Sequence, residues 1–276
     1  MKVLVIGGSR NIGYYASQRL LNAGATVTFL LRKRSCFDSD ESIKPYIASG
    51  KARLVQGDAL KEEDVSQAWE AASEGDDGPL DVVLFSVGGV PKMSITKGAV
   101  LDPPDICTRC MVNLLSIYPR DPATQPKLVL VSSNGLSKSA HSSLPFVIKP
   151  LYSFVLDGPH KDKLGMERTV HHAAGWEWPT EDGEPSKDIL PDGWQARVNP
   201  QGWLKHVVVV RPALLTDGDS KGDEKPKKNG KPPYRTGDKD LSGSYTVSRK
   251  DIAHFIVTQA LAEWPKWDGK CIRVAN

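Results

Sequence analysis

Gly7, Gly8 and Gly13, with Ser9, Arg10 and Asn11 between the second and third, follow directly on the apolar run Val3 to Ile6. Small residues after a buried strand let backbone N–H groups approach an anion, and the first N–H groups of a helix lack partners of their own. The stretch from Gly7 through Ser9, Arg10, Asn11, Ile12 and Gly13 therefore reads as a cradle for a pyrophosphate. Gly7 makes the turn, Ser9 adds a hydroxyl donor, and Gly13 lets the following helix pack on its strand. Asn11 lies within the turn, and asparagine tolerates left-handed backbone better than most residues.

The second chemical signal is a set of cations. The apolar run Ala25 to Leu31 ends in Arg32, Lys33 and Arg34, with no acid at its end. An acid there would hold a ribose 2′-hydroxyl, whereas a 2′-phosphate needs cations. Arg32 and Arg10 can clamp such a phosphate through paired hydrogen bonds, with Lys33 adding field, so the expected cofactor is NADP(H). Lys33 and Arg34 also fit a solvated charge run.

Elements must then bring the remaining polar residues to the same place. Continuous apolar runs at 52–55, 81–85, 127–131, 206–210 and 270–274 read as buried strands. Helical spacing recurs after Gly13 (Ile12, Ala16, Leu20, Ala23), over 62–72 and over 104–117. Alternating strands and helices imply an α/β doubly wound parallel sheet with helices on both faces, which binds ligands beyond the carboxyl ends of its strands. The candidates fall there. Ser86, Val87 and Gly88 offer a smooth surface to a ribose. Ser132 or Ser133 would polarise an acceptor, and His160 would donate a proton. Lys163 would hold a ribose or lower a neighbour's pKa. His160 and Lys163 read equally as a solvated histidine and an exposed cation where a helix opens.

These residues resemble the short-chain dehydrogenase/reductase superfamily, whose loop often reads Gly-Ala-Ser-Arg-Gly-Ile-Gly. Arg10 is similar to the loop arginine of its NADP-using members. Gly57-Asp58-Ala59 resembles the pair lying under the adenine, although Asp58 also fits an N-cap for the next helix. No tyrosine has lysine four residues on, so the usual proton donor is missing. Lys163 and Glu167 instead resemble the Lys-x-x-x-Glu of atypical members, NmrA-like and flavin/biliverdin-reductase-like, as do Arg211-Pro212-Ala213 and Tyr245 to Ile252. The resemblance implies a Rossmann fold, Pro212 and Ala213 beside the cofactor, and an oxidoreductase. The expected reaction is hydride transfer from NADPH to a small carbonyl, enone or aromatic compound. An NmrA-type sensor that binds NADP(H) without turnover is the alternative, and an epimerase or lyase is less favoured.

The 276 residues, 39% hydrophobic and 25% charged, suit a soluble globular chain, here one NAD(P)-binding unit over 1–276. A net charge of +3 argues against nucleic acid, and no apolar run approaches membrane length. A strand starting at residue 3 leaves no room for a signal segment, and four cysteines are sparse for a disulfide scaffold, so a cytoplasmic setting is expected. Cys107 and Cys110 read as structural, since no second pair stands at metal-binding spacing. Two insertions, 176–205 and 218–243, would build a small substrate lobe. The first carries Trp176, Trp178, Trp194 and Trp203 and is expected to be a lid or the surface of a homodimer, with packing over the domain as the plainer option. The second, rich in Lys, Gly and Pro, is expected to be a solvated mobile loop.

Overall fold

A computed structural model describes residues 1–75, 78–94, 98–136, 149–224, 233–239, 241, 243 and 245–276. Its strands are β1 (Lys2–Ile6), β2 (Thr26–Leu31), β3 (Ala52–Gln56), β4 (Val82–Phe85), β5 (Lys92–Ser94), β6 (Gly98–Val100), β7 (Lys127–Val131), β8 (Val207–Pro212), β9 (Leu214–Thr216), β10 (Arg235–Gly237), β11 (Thr246–Ser248) and β12 (Lys270–Ala275). Helices are α1 (Asn11–Asn22), α2 (Lys44–Ala48), α3 (Glu62–Ser73), α4 (Ile106–Ile117), α5 (Lys149–Ala174), α6 (Gln195–Val198), α7 (Arg249–Phe255) and α8 (Trp264–Trp267). A π-helical stretch, Ile256–Leu261, prolongs α7.

The main sheet runs β10-β12-β8-β7-β4-β1-β2-β3. Every pairing in it is parallel except β10 with β12. Strand order reverses beside β1, so the crevice between β1 and β4 is where a doubly wound sheet holds its ligand. The apolar runs follow from burial on both faces. Val3, Val5, Val27 and Phe29 face a core closed by Ala16 and Leu20 of α1 and Ile252 and Phe255 of α7. Leu4, Ile6, Val83 and Phe85 face the opposite core, closed by Val65 of α3, Met111 and Leu114 of α4, and Met166 and Val170 of α5. Truncating any one of these buried leucines to alanine would cost about 2–5 kcal/mol.

Two expectations are corrected here, and a third meets its plainer option. His160 does not open a helix: α5 already runs from Lys149, and Pro159, which reads as a helix breaker, sits inside it. In the Trp-rich insertion two of the four tryptophans pack over the domain. Trp194 and Trp203 are 9% and 5% exposed in the second core, Trp203 donates from Nε1 to the Val198 carbonyl at 2.7 Å, and Arg120 stacks on its ring at 3.8 Å. The second insertion is partly built into the fold. Tyr234 is buried, its hydroxyl 2.7 Å from His254 Nδ1, and β10 adds a strand to the sheet, while Arg19 pairs with Asp223. Positions 225–232, 240 and 242 of that insertion lie outside the described residues.

Candidate functional site: a cleft at the strand crossover

The turn after β1 is shaped by close approach. Gly7 has φ +91°, and a Cβ there would stand 2.6 Å from the Ser86 carbonyl carbon. A Cβ on Gly13 would stand 2.2 Å from Ser86 Oγ and 2.5 Å from the Gly7 carbonyl oxygen. Ser86 Oγ donates to that same oxygen at 2.9 Å and so fastens the end of β4 to the glycine turn. Asn11 adopts φ 56°, the left-handed backbone expected of it. Arg10 occupies the N-cap of α1 without a side-chain cap, and no acid lies in the first turn. The helix start thus keeps its N–H groups and partial positive charge directed outward, as an anion site requires. Ile12 contributes backbone alone, because its side chain is 5% exposed and belongs to the core.

A cleft of about 500 Å³ opens from this turn. Gly7, Ser9, Arg10 and Asn11 form its floor, and Arg32 and Cys36 line it beyond β2. Asp58 and Ala59 line it after β3, and Ser86, Val87 and Gly88 after β4. Lys33 and Arg34 are exposed beside it, Lys33 as the N-cap of a short 3-10 turn, and neither lines it. Asp58 does not cap α3, whose N-cap is Lys61. Its Oδ1 accepts from Leu60 N at 3.0 Å, and its own N–H donates to Asp64 Oδ2 at 2.7 Å, a local turn that presents residue 58 to the cleft.

Beyond the β4 and β7 ends, Lys163 donates from Nζ to the Val87 carbonyl at 2.8 Å and the Val131 carbonyl at 2.7 Å. It is therefore no exposed helix-start cation but a clasp across two strand ends. Asp162 next to it, 0% exposed, accepts from Cys107 N at 2.8 Å and Thr108 N at 2.9 Å and so caps α4 from a neighbouring helix. The sequence hid this residue, since one acid within a charged helical run reads as solvated. Burial pushes the Cys107 thiol up to about 12 and raises Cys110 as well. Both are buried, Cys107 Sγ donating to the Val87 carbonyl at 3.3 Å and Cys110 lining the cleft.

The two serines divide. Ser133 Oγ lies 3.5 Å from His160 Nε2. Ser132 is 6% exposed and stands near the Glu167 carboxylate, and its Oγ makes no hydrogen bond among the described residues. Glu167 is 1% exposed and receives Arg211 in a bidentate pair, Nε to Oε1 at 3.1 Å and Nη2 to Oε2. Burial alone would raise that carboxyl. The charge and hydrogen bonds of Arg211, with help from Ser132 and His171, hold it below the usual range. Pro212 and Ala213 are buried at the strand end, where Asn134 N donates to the Pro212 carbonyl at 2.8 Å and Ala213 N to the Val274 carbonyl at 3.0 Å. Neither is among the residues that line the cleft.

A parallel sheet with a glycine cradle, an uncapped helix start and a cleft at the strand-order reversal defines a dinucleotide-binding α/β protein. The chain belongs to the short-chain dehydrogenase/reductase superfamily of nicotinamide-cofactor oxidoreductases. A family model described as short chain dehydrogenase matches residues 1–120. Reductase pytE of Aspergillus terreus is 30% identical over 209 residues, 74% of this chain and 68% of that protein. Two solved structures share the fold. ChuY, an anaerobillin reductase of Escherichia coli O157:H7, aligns with a TM-score of 0.60 at 15% identity, covering 100% of this chain and 97% of its own. An alcohol dehydrogenase of Thermococcus sibiricus, complexed with 5-hydroxy-NADP, aligns with a TM-score of 0.58 at 16% identity, covering 100% and 96%. Among the described residues no helix is long and apolar enough to cross a membrane.

The residues fit such a cofactor. Gly7 and Gly13 let the turn and α1 pack closely on the end of β4, and the uncapped α1 start beside them offers donors.

Proposed function

We propose that this chain is an NADPH-dependent reductase that delivers hydride to a small carbonyl, enone or aromatic compound. The observation that carries the reading is that Arg10 and Arg32 both line the cleft, and that β2 ends without an acid. Two guanidiniums suit a 2′-phosphate and give a bare 2′-hydroxyl little. The glycine turn and the α1 start would hold the pyrophosphate, Asp58 would face the adenine end, and Lys163 would stand at the nicotinamide ribose with the donor its two carbonyls leave over.

NADPH, when bound, supplies the hydride. The chain's part is to orient the acceptor and provide a proton. Ser133 hydrogen-bonds the acceptor oxygen and gives it the proton, and His160 refills the hydroxyl. With a carbonyl acceptor the π bond would break as carbon gains the hydride that the cofactor supplies and oxygen gains the proton from Ser133, giving an alcohol.

The test follows NADPH consumption by the purified chain with quinones, enones and aldehydes. Turnover that falls about 100-fold or more in Ser133→Ala, with NADPH affinity retained, supports the reading. The lack of any tyrosine with lysine four residues on favours a second reading, a sensor that binds NADP(H) without turnover. Tight NADPH binding with no consumption across the panel would establish it.

A further inference from the structure

The five large hydrophobic residues that stand exposed among those described are Met1, Val90, Val100, Leu214 and Tyr245. Single exposed apolar residues are ordinary on any protein. Their placement here is not. Apart from Met1 at the chain start, Val90 follows the carboxyl end of β4 and Leu214 that of β8, the two strands that flank β7 and the Ser133–His160 pair.

The chain of contacts is short on both sides. Asn134 N donates to the Pro212 carbonyl, and Leu214, 54% exposed, is two residues farther on, at most about 7 Å of backbone. Leu214 N in turn donates to the Tyr245 carbonyl at 3.0 Å, so Tyr245, 58% exposed, is its backbone neighbour. Leu215 and Val247, paired in register, turn to the core, which leaves Leu214 on the outward side of the β9–β11 ribbon. On the other side Lys163 ties Val87 to Val131, and Val90, 61% exposed, lines the cleft three residues beyond Val87. Val100 lies on β6, whose Ala99 carbonyl abuts the backbone of Gly158 on α5.

Charge points the same way. Among the described residues, several cations around this end are engaged. Lys163 spends two donors on carbonyls, and Arg211 is taken by Glu167. Arg249 pairs with Asp217 at 2.7 Å, Lys250 with Asp219 at 2.6 Å, and Lys92 with Asp102 at 3.9 Å. A carboxylate, phosphate or nucleotide-sugar acceptor needs surplus cations or a fan of polar donors. An apolar rim with its charges neutralised in place suits neither.

We infer that the hydride acceptor is a neutral, largely apolar carbonyl compound with a ring-sized face, seated between Val90 and Leu214 with its oxygen at Ser133. This inference rests on the reductase reading, and it makes Leu214 a specificity residue. Transfer leaves the acceptor carbon with a new C–H bond, its oxygen with a new O–H bond, and the cofactor oxidised.

The experiment uses the full chain with 9,10-phenanthrenequinone as the apolar probe, and D-glyceraldehyde and 4-carboxybenzaldehyde as polar and anionic ones. Quinone binding is read from quenching of tryptophan fluorescence, independently of turnover. The quinone should bind, and Leu214→Asp should raise its Kd at least tenfold while the NADPH Kd stays within twofold. Leu214→Met should keep quinone affinity, which separates lost apolar contact from misfolding. A Kd unmoved by Leu214→Asp, no quinone binding, or better turnover of either polar probe overturns the inference while leaving NADPH-dependent reduction to be judged by its own consumption assay. Quinone binding that Leu214→Asp weakens, without NADPH consumption, upholds the apolar site and overturns the reductase reading.

Discussion

Glu167 on α5 and Arg211 at the end of β8 meet as a bidentate pair, the carboxylate 1% and the guanidinium side chain 15% exposed. Lys163 lies one helical turn from Glu167, so the pair fixes the rotation of α5 that aims the lysine at the strand ends. Glu167→Gln leaves Arg211 charged, buried and without its carboxylate. The expected loss is about 3–5 kcal/mol of folding stability, read as a lower urea midpoint. An unchanged midpoint would show that the pair contributes nothing net.

Acid should unfold the chain in two stages. Burial, with the nearby charges of Arg211 and Arg168, lowers His171 from the ordinary 6.5, against the opposing pull of Glu167 and the Glu177 carbonyl. The unfolded chain then takes a proton that folded His171 refuses. Stability supplied by neutral His171 is full above about pH 6.5 and declines as pH falls below it. Glu167, held below 4.5 despite its burial, adds a second loss as pH falls through its lowered pKa. Urea midpoints across this range should fall less steeply in His171→Gln. His254, lowered chiefly by burial, should keep part of the slope in that variant.

Cofactor choice should rest on Arg32. NADPH is expected to bind at least tenfold more tightly than NADH, about 1.4 kcal/mol, and Arg32→Ala should erase most of that gap with little change for NADH. Isothermal titration of both cofactors against both proteins measures it. Equal affinities in the parent chain would remove the 2′-phosphate role of Arg10 and Arg32.

Trp203 should matter to folding and not to kinetics. Its ring is 5% exposed, sits under Arg120 and reaches Val198 through Nε1. Trp203→Ala should cost about 3–5 kcal/mol in denaturant titrations. A lid would behave otherwise, losing catalytic rate with stability intact.

Strands and cradle were readable because each is local. Val3 to Gly13 carries its own strand, turn and helix start, and Asn11 announced its left-handed backbone by residue type. Arg32 was legible for a related reason, since the end of β2 is set by β2 itself. What escaped was set by partners distant in sequence. Asp162 caps a helix 54 residues away, and Glu167 pairs with Arg211, 44 residues on. Lys163 became a clasp only when β4 and β7 came together under α5. The tryptophans could be counted but not placed, because a segment that packs on α4 and α5 shows no period of its own.

The three residues of β10 have an effect far from the cleft. A buried parallel sheet that stopped at β12 would present a six-residue ladder of open backbone groups to any other chain in the cell, an invitation to join strands between molecules. Running antiparallel, Arg235–Gly237 takes up the far half of β12, and the Arg273 guanidinium on that strand donates to the Asp238 carbonyl just past its end. The outermost rim that remains is short, begins with an arginine and ends with a glycine, a poor template for a newcomer. The insertion that carries β10 thus covers half of an edge that would otherwise lie open.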